Sequence, residues 1–64
     1  MSRPGKPWRV YGVLGIYQDY RSQRAAYEAA AVIAKAGKRA RIWHWEDDRW
    51  IRYDELHPKE YTHG

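Results

Sequence analysis

Arginine and tryptophan alternate along two short segments of this chain, residues 39–45 and 50–53, which a polar stretch separates. Tryptophan rings can stack on nucleic-acid bases, and guanidinium groups can pair with phosphates. Tryptophan, tyrosine and arginine are also the residue types enriched at the hot spots of protein interfaces. The pattern therefore predicts a binding surface, for nucleic acid or for another protein.

The other polar residues give little basis for catalysis. Besides the tyrosines, the hydroxyl side chains are Ser2, Ser22 and Thr62, of which two lie near the termini and one precedes a helical pattern. A serine-histidine-aspartate arrangement thus has no good nucleophile. Asp47 and Asp48 are adjacent, but a polar turn lacks the apolar surroundings that general acid-base catalysis needs. We expect a protein that is not an enzyme.

A metal or cofactor site is equally weakly indicated. His44 and Glu46 would lie on the same side of a strand and could offer two ligands, but His57 and His63 would have to fold back to complete a set. The chain has no cysteine, which excludes a thiolate site. We therefore expect no metal and no cofactor, with His44 packed against the helix.

Length and charge narrow the class of protein. Sixty-four residues form one small domain, and the formal net charge of +4 favours anionic partners. The first residues lack the continuous apolar stretch of a signal peptide, and no segment approaches the ~18 apolar residues of a membrane span. We expect a cytoplasmic protein that does not bind membranes.

The elements that would position the binding residues begin with a strand. Residues 8–14 are rich in β-formers, Gly15 ends the run, and residues 16–20 are expected to form a loop with aromatic anchors. A helix follows, with Ser22 favoured as its N-cap and Gly37 as the residue after its C-cap. Its predicted apolar face carries Ala25, Ala29, Val32, Ile33 and Ala36.

The two arginine-tryptophan segments are predicted to form a β-hairpin. An even-length turn centred on residues 47–48 would place Trp45 opposite Trp50, Trp43 opposite Arg52, and Ile42 opposite Tyr53. An odd-length turn would exchange the faces of one strand. In the even register, one face packs on the helix through Ala40, Ile42, His44, Ile51 and Tyr53, and the other carries Arg41, Trp43, Trp45, Trp50 and Arg52.

These elements predict an α+β fold, a small β-α-β-β domain whose three-stranded sheet has one helix packed on one face. The expected bounds are a flexible basic arm at 1–7, the domain at 8–57 and a C-terminal tail at 58–64. The uncovered sheet face would then be an exposed aromatic patch, and such patches mark interaction sites.

We therefore predict a small binding module whose partner is single-stranded or structured nucleic acid. The alternative is a protein-protein interaction module that contacts an acidic protein surface, such as a small phage- or plasmid-type modulator of a host protein. A homodimer through the same face is a third arrangement. Tryptophans that only cover the sheet would equally explain the pattern. The predicted binding residues are Arg9, Tyr11, Arg39, Arg41, Trp43, Trp45, Trp50 and Arg52.

Overall fold

A computed structural model describes residues 4–60, except the side chain of Glu60. Four strands and one α-helix account for most of this range. They are β1 (Trp8–Tyr11), β2 (Tyr17–Tyr20), α1 (Gln23–Lys35), β3 (Ala40–Glu46) and β4 (Arg49–Leu56), with short 3₁₀ turns at Val13–Gly15 and Pro58–Glu60.

The strands form one antiparallel sheet in the order β2-β1-β3-β4. The α+β class with one helix is confirmed, but the sheet has four strands and not the predicted three. Residues 16–20, predicted as a loop, contribute the additional strand β2, which pairs with β1 from Trp8↔Tyr20 to Tyr11↔Tyr17. The segment β2-α1-β3 is thus a split β-α-β unit with β1 between its two parallel strands.

A tight loop connects β1 to β2. Leu14 adopts a left-handed conformation with φ 60°, and the Gly12 N–H donates to the Ile16 carbonyl at 2.8 Å. This contact closes the loop and turns the chain straight back along β1. As an edge strand, β2 pairs its backbone on one side only, with β1.

Both ends of α1 are stabilised locally, as predicted. The Ser22 hydroxyl accepts a hydrogen bond from the Ala25 N–H at 3.1 Å. At the C-terminus, Gly37 has φ 88°, and the N–H groups of Gly37 and Lys38 donate to the carbonyls of Ala34 and Ile33. This is the Schellman arrangement, which favours glycine because its left-handed conformation strains other residues.

The buried face of α1 differs from the predicted face by about one residue. Ala26, Ala30 and Ala34 are fully buried, whereas Val32 is 68% exposed; Ile33, which was predicted correctly, is partly buried. Alanines at this spacing allow the helix axis to lie close to the sheet, which larger side chains would prevent. The chain therefore places its smallest residues at the centre of the contact.

The core between helix and sheet is correspondingly small. Its largest fully buried side chain is Ile42, which lies opposite Val10 on the central strands. Close packing extends to Gly12, where an added Cβ would lie 3.3 Å from Ile33 Cδ1. The residues of this hydrophobic core are Trp8, Val10, Ala26, Ala30, Ala34, Ala40, Ile42 and Leu56.

The β3-β4 hairpin has the predicted even register near its turn. Asp47 and Asp48 form a two-residue turn with φ values of 52° and 59°, the signs of a type I′ turn. The pairs Trp45↔Trp50 and Trp43↔Arg52 are confirmed. The predicted pair of Ile42 with Tyr53 is wrong, because a β-bulge places Ile42 opposite Asp54 and leaves Tyr53 as the extra residue.

The bulge leaves Tyr53 on the helix side of the sheet and brings Asp54 to the same side. Its ring lies edge-on to Trp8 at 4.8 Å and packs near Tyr27, whose hydroxyl donates to Asp54 Oδ2. His44 stacks on Trp8 with ring centroids 4.0 Å apart. These residues form an aromatic margin on the helix side of the sheet.

Parts of the predicted arm and tail belong to the described fold. Pro7 is buried, and its carbonyl accepts a hydrogen bond from the Trp45 N–H at 2.8 Å. The Pro58–Glu60 turn lies against α1. Residues 1–3 and 61–64, which include Ser2, Thr62 and His63, lie outside the described residues. The one α-helix between residues 4 and 60 is too short to cross a membrane.

Candidate functional site

The sheet face opposite α1, called the open face below, has no second helix or strand over it among residues 4–60. Strand pairing arranges its side chains in three rows across the sheet. All the predicted binding residues except Arg39, which precedes β3, fall in these rows. The rows are Trp45–Trp50, then Asp19–Arg9–Trp43–Arg52, then Tyr17–Tyr11–Arg41–Glu55.

Arg9 is at the centre of the open face and is held on three sides. Its guanidinium donates two hydrogen bonds to the carboxylate of Asp19, at 2.8 and 3.2 Å. Its Cζ also lies 4.1 Å from the ring centroid of Tyr17 and 4.2 Å from that of Trp50. Hydrogen bonding to Asp19 raises the pKa of Arg9 above its ordinary value. With the side chain 19% exposed, these contacts make Arg9 an organiser of the surface.

Arg9 and Trp50 meet across the intervening strand. Arg9 is on β1 and Trp50 is on β4, so their side chains meet above β3. Trp43, opposite Arg9 on β3, is half-buried, with the ring of Tyr11 edge-on at 6.1 Å. Its indole Nε1 is buried without a hydrogen-bond partner among the described residues. The N–H edge of Trp43 is therefore not accessible to a ligand.

Trp45 and Trp50 form the aromatic pair next to the turn. Their rings are edge-to-face, with centroids 5.4 Å apart and an interplanar angle of 74°, and both residues are half-buried. The rings hold each other in place while part of each remains accessible. Tyr17 adds a further aromatic ring, and it is 50% exposed.

The basic residues of the open face differ in how far their charge is already neutralised. Glu55, only 16% exposed, pairs with Arg52 and with Arg39 at 3.1 Å, and His57 Nε2 lies 3.6 Å from it. Arg41, opposite Glu55 in the register, has no ion pair with any described side chain and is exposed. Arg41 is therefore the cation of this face best placed to meet an external anion.

His44 and Glu46 are close but do not form a metal centre. His44 Nδ1 lies 3.1 Å from Glu46 Oε2, and the ring is held against Trp8 on the helix side of the sheet. No group of three potential metal ligands occurs among the described residues. His57 instead lies beside Glu55, and His63 is not described.

Sequence reasoning missed Tyr17 and Asp19, which complete the Arg9 cluster. The available signal was the alternation of Tyr17 with Asp19, which matches that of Arg9 with Tyr11 and is typical of a strand. Only the pairing of β2 with β1 shows that Asp19 lies directly opposite Arg9.

Comparison with known proteins identifies no relative: no family model, curated protein or solved structure matches the chain. Its function therefore has to be inferred from the chemistry of its own residues.

Proposed function

We propose that this protein is a nucleic-acid-binding module that uses the open face to hold single-stranded or structured nucleic acid. The observation that carries the proposal is the row arrangement, in which partly exposed aromatic rings and arginines lie side by side on a face that no other helix or strand of residues 4–60 covers. Bases stack on such rings with little regard for sequence, and nearby cations follow the backbone.

Some residues of the open face contact the ligand directly, and others hold the contacting side chains in position. Trp45, Trp50 and Tyr17 offer ring surface for stacking, and Arg41 offers a charge without an internal partner. Arg9 holds Trp50 and Tyr17 in place through its two ring contacts. A ligand then meets rings that are already ordered, which lowers the entropic cost of binding.

Stacking, rather than charge, supplies most of the expected affinity. Three arginines of the open face, Arg9, Arg41 and Arg52, are opposed by the carboxylates of Asp19 and Glu55, which leaves a small positive excess. Each stacked base contributes about 1–3 kcal/mol, whereas the salt dependence should correspond to only one or two phosphates.

Binding of a protein partner is the second candidate, and the pairing of the open-face arginines with Asp19 and Glu55 favours it. A face whose cations are largely paired with its own carboxylates is more aromatic than basic in character. Such a surface suits an interface whose affinity depends on buried tryptophans. A second copy of the chain is one partner of this kind.

The deciding experiment is fluorescence anisotropy of labelled oligo(dT) and oligo(U) with the wild-type chain and four variants. Trp45→Ala should weaken binding by about 5- to 150-fold, the equivalent of one stacked base, and Trp45→Phe should restore most of it. Arg41→Gln should weaken binding and flatten its salt dependence, whereas Arg24→Gln, on the exposed side of α1, should not. No binding by the wild-type chain at low salt would contradict the proposal and favour a protein partner.

A further inference from the structure

A groove lies at one end of the sheet, where β1 ends and β3 begins. Its volume is about 650 Å³, within the range of small-molecule sites. Four separate parts of the chain contribute to it: the β1-β2 loop, the segment after α1, β3 and the segment after β4. The lining residues are Tyr11, Gly12, Val13, Leu14, Gly15, Lys38, Arg39, Arg41, His57, Pro58 and Lys59.

The charges around this groove are of one sign. Lys38, Arg39, Arg41 and Lys59 line it, and no aspartate or glutamate does so among residues 4–59. Arg39 shares the carboxylate of Glu55, but the other three have no ion pair within that range. Cations that line one groove without ion-pair partners repel one another, so an anion that entered the groove would relieve this repulsion.

The groove also has an apolar wall on one side. Val13 and Leu14 line it and expose large parts of their side chains, 44% and 91% respectively. Tyr11 adds an aromatic ring at the boundary with the open face. A ligand that suits both sides carries a concentrated negative charge attached to a flat apolar group.

We propose that this groove binds the phosphomonoester group of a nucleotide, with the phosphate between Lys38, Arg41 and Lys59. A terminal phosphomonoester carries nearly two negative charges near neutral pH, whereas an internal phosphodiester carries one. Three cations without internal partners match the doubly charged group better. The base or sugar would then contact the wall formed by Val13 and Leu14.

The groove is continuous with the open face through Tyr11 and Arg41, which belong to both. A strand stacked on the open face could therefore place its terminal phosphate in the groove. A free nucleotide would present the same chemistry. The strand-end source depends on the proposed function, but phosphate binding in the groove does not.

Two-dimensional ¹H–¹⁵N NMR of the full chain can separate the two surfaces. The amide signals of Gly12, Gly15 and Lys38 report on the groove, and the indole N–H signals of Trp45 and Trp50 report on the open face. The probes are thymidine, thymidine 5′-monophosphate, and (dT)₆ with and without a 5′-phosphate. We expect the monophosphate, and not thymidine, to shift the groove signals.

A charge-matched pair of double variants provides the control. Lys38→Gln/Arg41→Gln should abolish the groove shifts, and Arg24→Gln/Lys35→Gln, which removes the same charge from α1, should leave them unchanged. Both pairs replace exposed side chains, so both variants should fold; the dispersion of their spectra checks this. Equal loss in the two variants would show a net-charge effect and overturn the site.

The remaining outcomes are also distinct. Equal shifts by thymidine and its monophosphate, or no groove shifts by the monophosphate, would overturn the phosphate site. If oligonucleotides shift the groove signals but no indole signal, the phosphate site is supported and the proposed function is contradicted. If they shift the indole signals but no groove signal, the proposed function is supported and the phosphate site is contradicted. Tighter binding of phosphorylated (dT)₆ than of the 5′-hydroxyl form, by about tenfold, would identify a strand end as the source, since a charged hydrogen bond contributes that much.

Discussion

The two faces of the sheet distribute side-chain size in opposite ways. On the helix side, fully buried alanines and Ile42 allow close contact between α1 and the central strands. On the open face, tryptophan, tyrosine and arginine stand in rows and are only half-buried or exposed. A chain of this length has few large apolar side chains with which to build a core, yet three of its four tryptophans are outside that core. The helix side thus supplies the core of the fold, and the proposed binding residues lie on the side that the core does not use.

The open face nevertheless has an internal order of its own. Arg9 links Asp19, Tyr17 and Trp50 through two hydrogen bonds and two ring contacts. The helix side is ordered by close packing, whereas the open face is ordered by a paired charge between rings. Substitutions on the two faces should therefore have different consequences, as the following predictions specify.

The largest expected effect is on the helix side. Ile42→Ala removes the largest fully buried side chain and should lower the free energy of unfolding by about 2–5 kcal/mol, because the cavity cannot be filled by the alanines around it. In so small a domain this loss should leave much of the chain unfolded at room temperature. Urea titration followed by circular dichroism measures it. Val32→Ala, at an exposed position of α1, should change stability by less than about 0.5 kcal/mol; equal losses would contradict the separation of the faces.

The next effect tests the order within the open face. Asp19→Asn removes the charged partner of Arg9 and should cost about 1–2 kcal/mol of stability, since a charge-assisted pair at a partly buried site is lost. It should also loosen Trp50, which steady-state fluorescence with iodide quenching would detect as greater accessibility. Glu28→Gln, which removes the exposed partner of Arg24, is the matched control and should change neither. Unchanged quenching in Asp19→Asn would show that Arg9 does not hold Trp50.

A smaller effect of opposite sign is expected at the hairpin turn. Asp48 has φ 59°, which strains an L-residue, so Asp48→Gly should stabilise the protein by about 0.5–1 kcal/mol and raise Tm by a few degrees. Gly37→Ala, where φ is 88°, should lower Tm by a similar amount. Differential scanning calorimetry measures both. Neither substitution is on the open face, so the affinity for oligonucleotides should be unchanged in both variants.

The smallest expected effect concerns Trp43. Trp43→Phe keeps an aromatic ring opposite Arg9 and removes the indole N–H that has no acceptor among the described residues. The gain from removing that donor should offset most of the lost ring area, so stability should change by no more than about 1 kcal/mol. Affinity for oligonucleotides should stay within a factor of about two to three, unlike that of Trp45→Ala. A large loss of affinity in Trp43→Phe would show that Trp43 contacts the nucleic acid directly.

The sequence alone was sufficient for the ends of α1. Ser22 and Gly37 mark them because their hydrogen bonds and backbone angle are local. For the hairpin the sequence left an even and an odd turn open; the two-residue turn at Asp47 and Asp48 selects the even register, and with it places Trp43 and Trp45 on the open face. A period of two residues then separates the faces of each strand.

The tertiary structure decided the features that depend on distant residues. The buried face of α1 is set by how closely Ala30 can approach the sheet, which the spacing of apolar residues along the helix does not contain. The edge strand β2 forms because β1 offers it free backbone groups, and it thereby brings Asp19 to Arg9. The groove at the end of the sheet collects its cations from segments far apart in the chain. Local hydrogen bonds and turn length can be read along a sequence, whereas the meeting of these side chains exists only once the strands are paired.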